Sequence, residues 1–196
     1  EIAGFPVRGN VGVQVIGTQQ SATGFVVDRP TCNSGTHSCD YISKGRSHTY
    51  TDVLPSLNLT ADLGGDNLLR LGVGRVLARP NMEDMKATVD PSYDSTKGYY
   101  TGSGGKPELE PFRADVIDLS YEKYFGKKGY VSIAGFYKNL DTYILKVERP
   151  FDYTDYLTPN SQDPVGPLDT ITQADNGKGG SVSGVEVAVN VPFSMV

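Results

Sequence analysis

Side chains along this chain alternate between apolar and polar in stretches of about ten residues, and no other feature of the sequence limits its fold more tightly. A period of two puts successive side chains on opposite faces of a strand, so each stretch makes a strand with one apolar and one polar face. From Val7, the odd positions Val7, Gly9, Val11, Val13 and Val15 are small or apolar, and Arg8, Asn10, Gly12 and Gln14 between them are polar or glycine. Helical periodicity is hard to find anywhere. Six strands are expected, over residues 7–20, 50–63, 67–78, 114–125, 130–145 and 180–191. The fourth alternates most cleanly, with Ile117, Leu119 and Tyr121 opposite Asp118, Ser120 and Glu122. Pro55 cannot donate to a ladder and marks a bulge or strand end in the second. Arg75 falls on the apolar face of the third, where it either snorkels to an interface or marks a shift of register.

The connections alternate as strictly as the side chains. Gly64-Gly65-Asp66 and Gly126–Gly129 make tight hairpin turns, whereas residues 21–49, 79–113 and 146–179 make long loops. Three such loops are rare in a compact soluble domain. They are normal in an outer-membrane barrel, whose strands are joined by short periplasmic turns and long extracellular loops. Only 38% of residues are apolar, and no run approaches the roughly 18 a membrane helix needs. Barrels of this kind have at least about eight strands, and six in lipid would leave two unpaired edges, which a bilayer does not tolerate. The expected architecture is therefore all-β: residues 1–196 form an antiparallel up-and-down meander that is a segment of a large transmembrane β-barrel. Residue 1 is Glu and the methionines are Met82, Met85 and Met195, which points to a processed product or a fragment.

Several short motifs then stand in a recognisable order. They are Arg8-Gly9-Asn10-Val11-Gly12-Val13, Leu54-Pro55-Ser56-Leu57-Asn58-Leu59, Ala78-Arg79-Pro80, Gly105-Lys106-Pro107-Glu108-Leu109-Glu110-Pro111, Ser120 and Glu122 ahead of Tyr124-Phe125, Phe136-Tyr137-Lys138, and Gly180-Ser181-Val182-Ser183-Gly184-Val185-Glu186. Together they cover nearly the whole chain, which resembles the mid to C-terminal part of the barrel of TonB-dependent outer-membrane receptors. Lys106 and Glu110 depart from the family's usual Asn and Lys. No plug domain and no energy-coupling box are seen. The resemblance implies active transport of a scarce nutrient across the bacterial cell outer membrane. An oligosaccharide, siderophore-bound iron and a corrinoid all remain open as the ligand. It also implies contact with outer-membrane lipid, and with TonB through a plug domain absent from this chain.

Candidate site residues follow from position. Arg70, Asp118, Glu122, Lys138 and Glu186 fall on the polar faces and are expected to line the lumen. Tyr93, Tyr99, Tyr100, Tyr153 and Tyr156, in the long loops, are candidates for stacking on a flat or sugar ligand, against the plainer reading that they pack the loops together. Cys32 and Cys39, with six residues between them, suit a disulfide in an exported protein. A zinc site with His37 and His48 is the alternative, at a spacing that fits no standard ligand pattern. Asp163, Asp169 and Asp175 match no EF-hand-like calcium loop, so no metal and no cofactor are expected. A net charge of −5, with acidic loops, disfavours nucleic acid. Asp118 and Glu122 share a face but lie about 13 Å apart along a strand, too far for glycosidase geometry, and no nucleophile elbow, metalloprotease motif or phosphate loop is present. The expectation is a transporter and not an enzyme. A soluble β-sandwich, acting as a carbohydrate-binding or adhesin module, is the alternative; there the apolar faces would pack on one another.

Overall fold

The computed structural model describes residues 4–33, 35–36, 38–126, 128–158 and 166–192. Eight strands form one sheet: β1 (Val7–Asn33), β2 (Ser38–Gly64), β3 (Asn67–Ala78), β4 (Val89–Asp94), β5 (Tyr99–Gly104), β6 (Phe112–Phe125), β7 (Gly129–Pro150) and β8 (Thr170–Asn190). A single 3₁₀ turn, Met82–Met85, is the helical element among them. The strand order is β1-β2-β3-β6-β7-β8-β5-β4. Six long strands thus follow one another antiparallel as a curled half-barrel wall. The β4–β5 hairpin is added at the far side, with β5 parallel to β8 over Thr101–Gly104 and Thr170–Gln173.

Cross-strand register aligns the alternation of one strand with that of the next. Leu59, Leu71, Leu119, Gly135 and Val185 form one continuous row across five strands. Ala61, Leu69, Tyr121, Ile133 and Val187 form the row on one side of it, and Leu57, Val73, Ile117, Tyr137 and Ser183 the row on the other. A one-residue slip in any strand would turn its apolar set to the opposite face. On β6, Lys123 and Asp115 bracket these three rows. The eight steps from one to the other span about 27 Å along the strand, or about 20 Å of height at the usual barrel tilt, close to the 25 Å apolar band of an outer-membrane barrel.

That apolar face has no second layer. Val11 is 82% exposed, Val185 74% and Leu119 50%, and every described strand belongs to the one sheet. The sandwich alternative needs a facing sheet over these residues and is set aside. Among the described residues no helix is long and apolar enough to cross a membrane, which says nothing of strands.

Three stretches expected as loops are built differently. Within residues 21–49, β1 continues to Asn33 and β2 begins at Ser38, in register from Ser21–Ser47 to Asp28–Asp40. The outer ends of β7 and β8 pair likewise, from Leu145–Asp175 to Pro150–Thr170. Residues 79–113 hold β4, β5 and the 3₁₀ turn. Ladder hydrogen bonds do not depend on which side chains the strands carry, whereas alternation arises only where the two faces meet different media. Beyond the apolar band both faces meet water or other loops, so the pattern fades while the strands continue. The tight turn expected at Gly64-Gly65-Asp66 is present, with φ of 80°, 56° and 64°, a left-handed run that favours glycine.

Among the described residues no strand pairs with the outer side of β1, which is 27 residues long. The isolated chain should therefore self-associate and give no monodisperse species in water, since an open edge beside a bare apolar face is a template for other chains. Light scattering with denaturant titration checks this. A compact detergent-free monomer with one sharp unfolding transition would be the contrary result.

Candidate functional site

The polar face of the wall gathers the five residues expected to line a lumen. Register places Arg70 beside Ser120, Asp118 beside Gly72, Glu122 beside Leu68 and Ser132, Lys138 beside Val116, and Glu186 beside Ala134, all opposite the apolar rows. Arg70, Asp118, Lys138 and Glu186 share a depression of about 270 Å³ with Phe136. Arg70 and Glu122 form an ion pair: Arg70 Nε donates to Glu122 Oε1 at 2.9 Å, and the Tyr124 hydroxyl donates to Glu122 Oε2 at 2.8 Å. Lys138 Nζ stands 5.5 Å from the centre of the Phe136 ring. On the other face, the guanidinium of Arg75 pairs with Asp115 at 3.0 Å and with Asp141. Arg75 thus closes the apolar band at its upper border.

The loop tyrosines divide between a buried cluster and its margin. Tyr153 is fully buried and Tyr100 is 5% exposed, and with Ile171 they form a small core on which Tyr93, Phe151 and Tyr156 pack. The Tyr93 and Tyr100 rings meet edge to face at 5.1 Å, and Phe151 meets Tyr153 at 4.8 Å. Burial, with the nearby Asp169 carboxylate, pushes the Tyr153 hydroxyl up to about 12; that hydroxyl donates to Thr170 O at 2.7 Å. Gly102 permits the approach, since a Cβ there would lie 2.4 Å from the Tyr153 oxygen. Tyr153 and Tyr100 therefore hold the loops together and present no face to a ligand. Tyr99 is half-buried at the edge, with the Lys97 ammonium 5.7 Å from its ring centre.

Asp169, weighed as a calcium ligand, is fully buried and accepts the backbone N–H groups of Tyr100 and Gly166 at 2.9 and 2.8 Å. Asp175 accepts from Lys106 Nζ at 2.5 Å and Arg149 Nη2 at 2.6 Å. Both carboxylates are occupied within the loops. Asp163 and His37 lie outside the described residues. Among the described residues no group of three or more His, Cys, Asp or Glu is placed to hold a metal.

Segment 105–111 lies on the polar side of the sheet and ties β1 to β8. From β1, Gln20 Nε2 donates to Pro107 O at 2.8 Å and Leu109 O at 2.7 Å. From β8, Asn176 exchanges two bonds with the Glu110 backbone, at 3.0 and 2.9 Å. Leu109, Pro107 and Pro111 are fully buried. The two family departures each have a partner of opposite charge: Lys106 pairs with Asp175, and Glu110 with Arg113 Nη1 at 2.5 Å. Arg113 Nε also meets Asp52 Oδ1 at 2.5 Å, with Asp52 5% exposed. Nothing in the local sequence pairs residues 52 and 113, so this contact was not legible beforehand. An isolated Asp within the Thr-rich second strand, and an Arg just before the alternation of the fourth, were its only traces.

The β1–β2 hairpin leans over the same side. Val27 N donates to Asp155 O at 2.9 Å, Arg29 reaches Thr154 O, and Lys44 pairs with Asp155 at 3.5 Å. Near its tip Cys32 and Cys39 form a disulfide. Closing so short a loop should stabilise the protein by about 2–3 kcal/mol at most. Reduction should therefore lower the unfolding midpoint slightly and leave the fold intact. Mass spectrometry of the unreduced exported protein should show no free thiol; two free thiols would reject the bridge.

Against known proteins, a family model described as "TonB dependent receptor-like, beta-barrel" matches residues 4–195. No curated protein sequence matches significantly. Among solved structures, the ferric enterobactin receptor of Pseudomonas aeruginosa superposes with a TM-score of 0.56 at 15% identity, over 98% of this chain and 32% of that one. The siderophore receptor PirA of the same organism gives 0.52 at 17%, over 98% and 38%. The Serratia marcescens hemophore receptor HasR, in complex with its hemophore and heme, gives 0.54 at 13%, over 94% and 29%. The chain thus spans well under half of each solved receptor, and at these identities the likeness is one of fold.

Proposed function

The chain belongs to the TonB-dependent receptor-like β-barrel family, and from that premise we propose that it forms part of the wall of an active transporter in the bacterial outer membrane. The observation that carries this is the three-row apolar band, bare on one side of a single sheet whose other side is polar and charged. Such a wall is stable where lipid covers the band and water fills the other side. Remaining strands would complete the barrel. TonB would supply energy through a plug domain outside these residues.

Arg70, Asp118, Glu122, Lys138 and Glu186 line the lumen in this reading, and the loops above them meet the incoming nutrient. The work is transport and not catalysis. Of the three nutrient classes, an iron chelate is favoured over a corrinoid or an oligosaccharide. Two of the rings that argued for stacking on sugars are buried in the loop core, and the structural neighbours named above are receptors for ferric enterobactin, a siderophore, and a heme-carrying hemophore.

The test is uptake. A strain lacking the complete protein should lose growth on a chelated iron source that sustains its parent, and regain it on complementation. Unchanged growth on iron chelates, with lost growth on an oligosaccharide or corrinoid, would move the substrate class. Unchanged growth on all three would contradict the transport reading.

A further inference from the structure

Beneath segment 105–111 the polar face of β2 carries a feature the ties do not explain. His48, Tyr50 and Asp52 occupy every second position and so share one face. Their Nε2, hydroxyl and Oδ2 atoms are buried and have no hydrogen-bond partner among the described residues. They neighbour the strap's attachment points, since Arg46, two residues before His48 on the same face, pairs with Glu108 at 3.9 Å. Gln20, which holds Pro107 and Leu109, sits opposite His48 in the ladder. Arg113, which holds Glu110, bonds the other oxygen of Asp52 and lies 5.7 Å from the Tyr50 ring centre. Buried polar atoms are nearly always paired. An unpaired one costs its desolvation while covered, and regains a partner once water reaches it.

We propose that segment 105–111 is a releasable strap over the polar face: its ties to β1, β6 and β8, with those of Arg46 on β2 to Glu108 and of Thr142 on β7 to Pro111 O, favour the closed state, and the three unpaired atoms on β2 favour release. The opposition of the two sets makes a two-state element. In the released state, water or an entering solute with hydrogen-bonding groups meets His48, Tyr50 and Asp52. The role in solute entry rests on the transporter reading; the release itself does not.

Hydrogen exchange of the complete protein, reconstituted in lipid, reads the strap apart from uptake. The Glu110 amide, bonded to Asn176 Oδ1 at 3.0 Å, reports opening, while Leu71 and Leu119 amides report the wall. Gln20→Leu removes two ties and should speed Glu110 exchange about tenfold or more. Tyr50→Phe removes one unpaired hydroxyl while keeping the ring, and should slow Glu110 exchange about fivefold or more. Wall amides should be unchanged in both variants. Should Gln20→Leu also loosen the wall, Tyr50→Phe decides alone. Exchange in Tyr50→Phe equal to or faster than in the parent would overturn the proposal, since the hydroxyl would then be satisfied, by ordered water, with the strap down. Failure of nutrient uptake to depend on the protein would leave these exchange results standing.

Discussion

Replacing Arg113 with methionine should destabilise the complete barrel by about 3–5 kcal/mol, the usual cost of removing one partner from a buried ion pair. The size follows from burial. The Asp52 side chain is 4% exposed and the Arg113 side chain 15%, so solvent screens the pair little and the abandoned carboxylate is left buried while the strap is down. Arg113 also holds Glu110 and faces the Tyr50 ring, so its loss frees the strap as well as the wall. Changing Asp52 to asparagine in the same background should return part of the loss, because the stranded charge then disappears. Unfolding from lipid vesicles in guanidinium measures both. A single-mutant cost below about 1 kcal/mol would place the pair in the class of exposed surface bridges and contradict the burial described.

Leu119→Arg is the second large effect, about 2–4 kcal/mol in lipid if the residue sits near the midplane. Leu119 lies in the middle of the three rows, two rows' width from Lys123 on one side and from Asp115 on the other. An arginine there cannot reach either border without leaving the apolar band. Arginine at Ser120 faces the opposite side, beside Arg70, and should cost far less. Equal costs at 119 and 120 would contradict the division of the sheet into lipid and water faces.

The wall was legible in the sequence because each of its strands meets two media at once. Ile117, Leu119 and Tyr121 against Asp118, Ser120 and Glu122 record that difference directly, and so do Val185 and Val187 against Glu186. The same difference carried the polar-face residues Arg70, Asp118, Glu122, Lys138 and Glu186 onto one side. Above the band the medium is the same on both sides, and there the reading stopped short: residues 21–28 and 40–47 continue as paired strand without alternation. The loop tyrosines show a second limit. Type and location made Tyr100 and Tyr153 candidates for ligand contact, but only packing could tell that Tyr153 is enclosed by Tyr100, Phe151 and Gly102. Long-range pairs such as Arg113 with Asp52, or Lys106 with Asp175, depend on how the sheet curls, which no local pattern records. The altered motif is instructive in the same way: Lys106 and Glu110 look like departures one at a time and become matched charges once β8 and β6 are beside them.

The most direct test of the central claim is a scan of solvent and lipid access along β6. Single spin labels at positions 116 to 122 of the reconstituted protein, read for collision with oxygen and with a water-soluble nickel complex, separate the two media residue by residue. Labels at 117, 119 and 121 should collide preferentially with oxygen, and those at 118, 120 and 122 with nickel, in a strict period of two. Nickel access at 117, 119 and 121, or equal access along the whole strand, would contradict a wall between lipid and lumen.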